Sequence, residues 1–250
     1  MRWLVLLGLL TACDRVFGLG DPYEDAHSTM GSGDGGPAGD GSGSGGNAAH
    51  LLADFELDGD FNDSVSRTSA ICTRLNGSLC GFSQGHTGTG NSALFDGATC
   101  VRFDLPATPS QLSIALWLKA STGATEAVIA RPYASTTDTS WLVEEDNDSL
   151  YFQSYSGSLT LAANTGPGIG DSNWHFLVVT VDPTASAFYV DGIARAPGSG
   201  VTIGYGGNMT VDLGCDVTTT AFDDFNGQLD NVKIFDGILT PQEVMNLAAQ

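Results

Sequence analysis

Beyond residue 48, the apolar residues occur in short runs that Gly, Asn, Asp and Pro interrupt every few positions. In the clearest run, Leu112–Lys119, leucine or isoleucine fills every second position, as expected of a β-strand with one buried face. A second run, Phe176–Val181, leads through the turn Asp182–Ala185 into Ala187–Val190, which predicts a β-hairpin. Because many short strands occur without intervening helices, we predict an all-β, two-sheet antiparallel sandwich.

A helix is predicted at the C-terminus alone. Thr240 is a suitable N-cap residue, Pro241 suits the first helical position, and Glu243 stands where a capping box requires it. We therefore expect a short helix from Pro241 to about Ala248.

The charge balance excludes one class of partner. The chain has 29 Asp and Glu against 9 Lys and Arg, a formal net charge of −20. Such a surface repels phosphate backbones and anionic lipid headgroups, so we expect no nucleic acid partner and no basic membrane-binding patch. Most of these carboxylates are expected to keep the protein soluble, and a few are candidates for binding calcium.

Residues 14–47 differ in composition from the rest. Gly, Ser, Asp and Ala dominate this stretch, which has too few apolar residues to offset the entropy of ordering, so we predict a disordered tether. Gly31–Gly36 matches the G-x-G-x-x-G pattern, but neither a strand before it nor a helix after it is predicted, and we reject a nucleotide site. The folded domain is expected to span residues 48–250.

The N-terminus resembles a bacterial lipoprotein signal. Arg2 precedes a short apolar run that ends in Leu10-Thr11-Ala12-Cys13, and the run is shorter than the ~20 residues of a membrane span. The resemblance implies that residues 1–12 are removed and that Cys13 carries the lipid. The protein would then be extracytoplasmic and anchored to the bacterial cell envelope. Asp14 resembles the inner-membrane retention signal of enteric bacteria, but the outer membrane is slightly favoured.

Once Cys13 is lipidated, an even number of cysteines remains. Cys72, Cys80, Cys100 and Cys215 in an oxidising compartment predict two disulfides, with three possible pairings. Their closeness in sequence favours Cys72–Cys80, with Cys100–Cys215 as a long-range crosslink. None of their spacings suits zinc.

Six segments, taken in order, resemble the concanavalin A-like, laminin G-like jelly-roll domain of exported bacterial proteins. They are Ala53–Ser64, Asn91–Gly97, Leu112–Ser121, Asn173–Asp182, Ala187–Gly192 and Phe225–Val244. The resemblance implies two curved antiparallel sheets whose first and last strands are neighbours. It does not imply one activity, since such sandwiches include lectins, adhesion modules and glycosidases.

The same resemblance suggests a structural calcium ion that joins the first strand to the last. The corresponding positions are Glu56, Asp63 and Asp230, whose oxygen ligands suit a hard cation. The alternative is a turn that Asn and Asp side chains stabilise without metal.

Aromatic residues provide the candidate ligand-binding positions. Trp117, Trp141 and Trp174 are expected in the core, because they lie among Leu, Ile and Val. The remaining candidates for stacking against a ligand lie near predicted loops or strand ends: Tyr133, Tyr155, Tyr205 and Phe225.

Catalytic motifs are weak. Glu56–Asp60 imitates the start of a glycosidase E-x-D-x-x-E motif but runs into a turn, and Glu144–Asp148 is expected to be a solvated hairpin loop. We therefore predict a non-catalytic, lipid-anchored module that binds glycans or envelope or matrix proteins. The alternatives are a purely structural envelope lipoprotein and a divergent glycoside hydrolase.

Overall fold

A computed structural model describes residues 48–74, 80–120, 125–132, 139–156, 158–206, 209–216 and 224–250. The chain divides into two units, residues 1–43 and residues 44–250, and the described residues belong to the second. Cys13, the predicted tether and Tyr133 lie outside the described residues. Within the described ranges, none of the helices has the length and apolar character that a membrane span requires.

The described chain consists of short strands and one C-terminal helix. In chain order they are β1 Leu51–Phe55, β2 Ile71–Arg74, β3 Gly81–Gln84, β4 Asn91–Asp96, β5 Thr99–Asp104, β6 Leu112–Ala120, β7 Glu126–Arg131, β8 Thr139–Asp146, β9 Ser149–Ser156, β10 Leu159–Asn164, β11 His175–Val181, β12 Ala185–Val190, β13 Ile193–Ala194, β14 Gly198–Ser199, β15 Thr210–Leu213, β16 Asn226–Phe235 and α1 Pro241–Ala248.

These strands form two antiparallel sheets. The larger sheet has nine strands, with the order β13-β12-β11-β6-β16-β4-β3, while β1 also pairs with β16 and β14 with β12. The smaller sheet has seven strands, in the order β10-β9-β8-β7-β15-β5-β2. Since Phe55 of β1 lies opposite Val232 of β16, the first and last strands are neighbours. The predicted all-β sandwich is confirmed.

The main core lies between the two sheets. Leu112, Ile114, Leu116 and Leu118 of β6 all belong to it, which confirms the strand predicted from their period of two. The side chains of β6 that alternate with these four residues therefore lie on the outer face of the larger sheet.

The C-terminal helix partly covers that outer face. The Thr240 side chain accepts a hydrogen bond from the amide of Glu243, whose carboxylate accepts one from the amide of Thr240, so the predicted capping box is confirmed. A second apolar cluster includes Val244 of the helix together with Ala115 and Phe176 of the larger sheet.

The three tryptophans expected in the core differ in where they lie. Trp141 is completely buried in the main core, as expected. Trp117 alternates with the core leucines of β6, so it lies on the outer face and packs half-buried against the second cluster. Trp174 is half-buried and precedes β11 instead of lying within it.

Both expected disulfides are present. Cys72 and Cys80 are bonded with their Cα atoms 6.2 Å apart, and Cys100–Cys215 joins β5 to the end of β15 with Cα atoms 5.4 Å apart. The pairing that sequence proximity favoured is thus confirmed.

Candidate functional site

The outer face of the smaller sheet carries a continuous row of side chains across its seven strands, and three of them, Ala130, Asp212 and Gln153, are buried. Consecutive members of this transverse row lie directly opposite each other on neighbouring strands. From β10 to β2 they are Leu161, Gln153, Leu142, Ala130, Asp212, Arg102 and Ile71. The core residues of these strands lie at alternate positions, so the row faces away from the main core.

An ion pair lies within this row. Arg102 Nε donates to Asp212 Oδ1 at 2.6 Å and Nη2 donates to Oδ2 at 2.7 Å. The Asp212 side chain is 0% exposed, whereas that of Arg102 is 45% exposed. The hydrogen bond to Asp212 raises the pKa of Arg102. Because both carboxylate oxygens are engaged by a planar guanidinium, the Asp212 side chain is held in one orientation.

Polar and aromatic side chains flank the row on β8 and β9. Gln153 Nε2 donates to Glu144 Oε1 at 3.1 Å. Tyr151 lies opposite Glu144, and Tyr155 lies opposite Ser140. Both tyrosines are half-buried. The face therefore combines fixed amide, carboxylate and guanidinium groups with aromatic and aliphatic surface.

The predicted aromatic candidates separate clearly by burial. Tyr155 lies on the outer face of the smaller sheet, beside the transverse row. Tyr205 and Phe225 instead belong to the main core, where they are 7% and 0% exposed, and burial raises the pKa of Tyr205. This burial contradicts the expectation that they stack on a ligand at the surface. Tyr151 was not among the predicted residues. It lies on the same strand and the same face as Tyr155, four positions earlier in β9.

Asp63, one of the predicted calcium ligands, stabilises a turn. Its Oδ1 accepts hydrogen bonds from the amides of Asp54 and Val65 at 2.9 and 3.0 Å. Its Oδ2 accepts one from the amide of Ser66 at 3.1 Å. These contacts match the metal-free alternative, in which an Asp side chain holds the turn.

Asp230, the second predicted calcium ligand, pairs with a buried histidine side chain. Its Oδ2 lies 2.8 Å from His86 Nδ1 and accepts a hydrogen bond from the His86 amide at 3.0 Å. The His86 ring stacks on Trp117 with centroids 4.3 Å apart. The pair therefore ties the segment after β3 to the last strand.

Glu56, the third predicted calcium ligand, is exposed. Among the described residues, one group of three potential metal ligands has its ligand atoms within 4.8 Å of one another, namely Cys100, Asp212 and Cys215. The two cysteines are bonded to each other and Asp212 to Arg102, so this group does not suit a metal ion. Calcium at Glu56, Asp63 and Asp230 stays a prediction.

The acidic run Glu144–Asp148 is not a solvated loop. Glu144 and Glu145 belong to β8, and the turn is formed by Asn147 and Asp148. Glu145 is 0% exposed, and its burial, with the nearby Glu126, raises its pKa to about 7. Since neighbouring residues in a strand point to opposite faces, Glu144 and Glu145 do not form a catalytic pair.

Comparison with known proteins identifies the family. The model described as the concanavalin A-like lectin/glucanases superfamily, of laminin G type, matches residues 88–245, more than half of the chain. The chain belongs to this superfamily. The resemblance seen in the sequence is thereby confirmed, whereas its bacterial lipoprotein part remains a prediction. No curated protein matches the sequence.

Solved structures share this superfamily fold. Domain 4 of an extracellular family 43 arabinanase from Geobacillus stearothermophilus, in complex with arabinotriose, has a TM-score of 0.64 and 23% identity, covering 81% of this chain and 100% of that one. The binding domain of a Paraclostridial mosquitocidal protein has a TM-score of 0.60 and 14% identity, covering 79% and 51%. The binding domain of botulinum neurotoxin DC in complex with SialylT has a TM-score of 0.59 and 13% identity, covering 80% and 51%.

These identities show a shared fold alone. The chain spans the whole of the arabinanase domain but about half the length of the two toxin domains. The fold and these neighbours fit a binding module.

Proposed function

We propose that the protein is a non-catalytic glycan-binding module whose ligand lies along the transverse row of the smaller sheet. The observation that carries this proposal is the Arg102–Asp212 pair, held in fixed geometry on an outward face. Sugars require both apolar surface for their ring faces and fixed polar groups for their hydroxyls, and such polar groups supply the orientation in ligand sites.

The rest of the face meets both requirements. Leu142 and Leu161 supply aliphatic surface, and Leu161 is 49% exposed. Tyr151 and Tyr155 supply half-buried rings. The Gln153 amide is held by Glu144, so little side-chain entropy is lost when it binds a hydroxyl. The arabinanase domain of the same fold, in complex with arabinotriose, supports a saccharide as the ligand.

The carboxylates of this face favour binding over hydrolysis. A glycosidase needs one carboxyl group that can be protonated and a second at about 5–10 Å. Both oxygens of Asp212 accept hydrogen bonds from Arg102 and its side chain is fully buried, while Glu144 accepts a hydrogen bond from Gln153. Release of reducing sugars by the purified protein would instead support the divergent hydrolase.

We further propose that the domain works outside the cytoplasm, anchored through lipidated Cys13 and the tether of residues 13–47. The two disulfides support an oxidising compartment. Metabolic labelling with a fatty acid, compared between the wild type and Cys13→Ala, tests the anchor. An unlabelled wild-type protein would contradict it.

The binding proposal is tested with a panel of neutral polysaccharides and the oxidised full-length chain. Gln153→Ala is expected to weaken binding about 3- to 10-fold, the effect of losing one hydrogen bond of about 1 kcal/mol. Gln242→Ala removes the same side chain from an exposed position of α1 and serves as the matched control.

The same panel in the presence of chelator tests calcium. Loss of binding with chelator would support an ion at Glu56, Asp63 and Asp230. If no glycan binds, the binding proposal is wrong and the structural lipoprotein is favoured.

A further inference from the structure

The outer face of the larger sheet has a region beyond the second apolar cluster, with a row of its own. Gln228 of β16 lies opposite Leu94 of β4 and also opposite Lys119 of β6. These side chains alternate with core residues of their strands, so they point outward, on the face opposite to that of the transverse row.

The row forms the floor of an open pocket of about 190 Å³, lined also by Ser172 and Asn226. The pocket is smaller than the ~300–1,000 Å³ that encloses drug-sized ligands. It therefore suits a single sugar unit. Gln228 Oε1 accepts a hydrogen bond from Ser92 Oγ at 3.1 Å, which fixes the amide and leaves its nitrogen as a donor.

Lys119 gives this pocket its chemical character. In the part of the chain that the structure describes, Lys119 makes no ion pair, whereas Lys233 pairs with Asp54 and Arg102 with Asp212. A chain with 29 acidic and 9 basic residues thus keeps a half-buried lysine without an ion pair among the described residues, at a pocket of mixed polar and apolar lining. An anionic group on a ligand is the partner that such a cation selects.

An aromatic residue lies opposite Lys119 when the strand register is extended. His175 pairs with Leu118 between β11 and β6, so continuing the antiparallel register by one residue places Trp174 opposite Lys119. The Trp174 ring is half-buried and packs edge-on against His86, with centroids 6.3 Å apart. Trp174 therefore supplies aromatic surface near the row, outside the residues that line the pocket.

We propose that this pocket is a second binding site, specific for a saccharide unit that carries one carboxylate, with Lys119 as the carboxylate ligand. A polyanion is disfavoured, because the net charge of −20 repels it at long range. The acidic unit is therefore an isolated substituent or end group. This proposal does not depend on the transverse row, which lies on the other sheet.

The test compares two matched oligosaccharides, xylotetraose and xylotetraose with one glucuronate substituent, by calorimetric titration of the full-length oxidised chain. The wild type is expected to bind the acidic form at least tenfold more tightly. Lys119→Met should remove this preference, and Lys119→Arg should retain most of it. Arg195→Met, which removes one positive charge from an exposed position, should leave the preference unchanged.

Three results would overturn the proposal. They are equal affinity of the wild type for both forms, a preference that survives Lys119→Met, and no binding of the acidic form at millimolar concentration. Gln153→Ala distinguishes the two sites: a preference lost in Gln153→Ala but kept in Lys119→Met would place the acidic unit on the smaller sheet. If the transverse row does not bind glycans, the panel of neutral polysaccharides will show no binding. The preference for the acidic oligosaccharide and its loss in Lys119→Met would still be observed.

Discussion

Glu145 provides the sharpest test of the energetics of this fold. It is 0% exposed, and the structure gives its Oε2 no hydrogen-bond partner among the described residues. Its Oε1 accepts a hydrogen bond from the Asp148 amide at 3.0 Å. Burial, together with the charges of Glu126, Asp146 and Asp148, raises the pKa of Glu145 from 4.5 to about 7. Its charge therefore opposes folding at neutral and higher pH.

The sign and size follow from proton linkage. Between about pH 4.5 and pH 7 the unfolded chain releases the Glu145 proton while the folded chain retains it, so stability falls as pH rises. At about 1.4 kcal/mol per pKa unit, the upper limit of this loss is about 3 kcal/mol. Because the neighbouring carboxylates are half-buried and partly screened by solvent, we expect about 1–2 kcal/mol.

Glu145→Gln removes the ionisable group and keeps the acceptor for Asp148. The unfolding free energy of this variant minus that of the wild type should increase by about 1–2 kcal/mol as the pH is raised from about 5 to about 8.5. Urea denaturation at both pH values, with equal m-values, measures the gain. Glu56→Gln, measured with chelator, removes an exposed carboxylate and is the control. A difference between Glu145→Gln and the wild type that does not change with pH would refute the reasoning.

Two further predictions concern the Cys100–Cys215 disulfide and a half-buried histidine. Replacing Cys100 and Cys215 by Ala removes a crosslink over 115 residues and should lower the free energy of unfolding, measured by urea denaturation, by about 2–5 kcal/mol. A loss below about 1 kcal/mol would contradict this prediction. The reduced wild-type protein serves as the comparison. Burial lowers the pKa of His175, but hydrogen bonds to Asp191 and Asp171 outweigh burial and raise it above 6.5. His175→Gln should therefore destabilise most below about pH 6.5 and progressively less as pH rises through the raised pKa, and a constant loss would contradict this.

The fold was predictable from local patterns. The period of two in β6 and the capping box at Thr240 each depend on residues close in sequence, and both are confirmed. The disulfide pairing was predictable because Cys72 and Cys80 are near each other, which left one partner for Cys100.

The candidate sites depend on contacts that sequence distance hides. Arg102 and Asp212 are 110 positions apart, and their pairing requires β5 and β15 to be neighbours in one register. The sequence shows only that each is a polar residue between two core positions. Tyr205 and Phe225 were misplaced for the same reason, because an aromatic residue near a loop can close the core or face solvent.

The sequence by itself therefore determined the strands, the sandwich class, the terminal helix and the acidic surface, since these follow from periodicity, caps and composition. Only the tertiary structure decided which polar side chains meet. Strand order and register brought Arg102 to Asp212 and aligned Gln228 with Lys119. They also buried Glu145 and left Lys119 without an acidic partner among the described residues. These are long-range consequences of packing two sheets, and no local pattern encodes them.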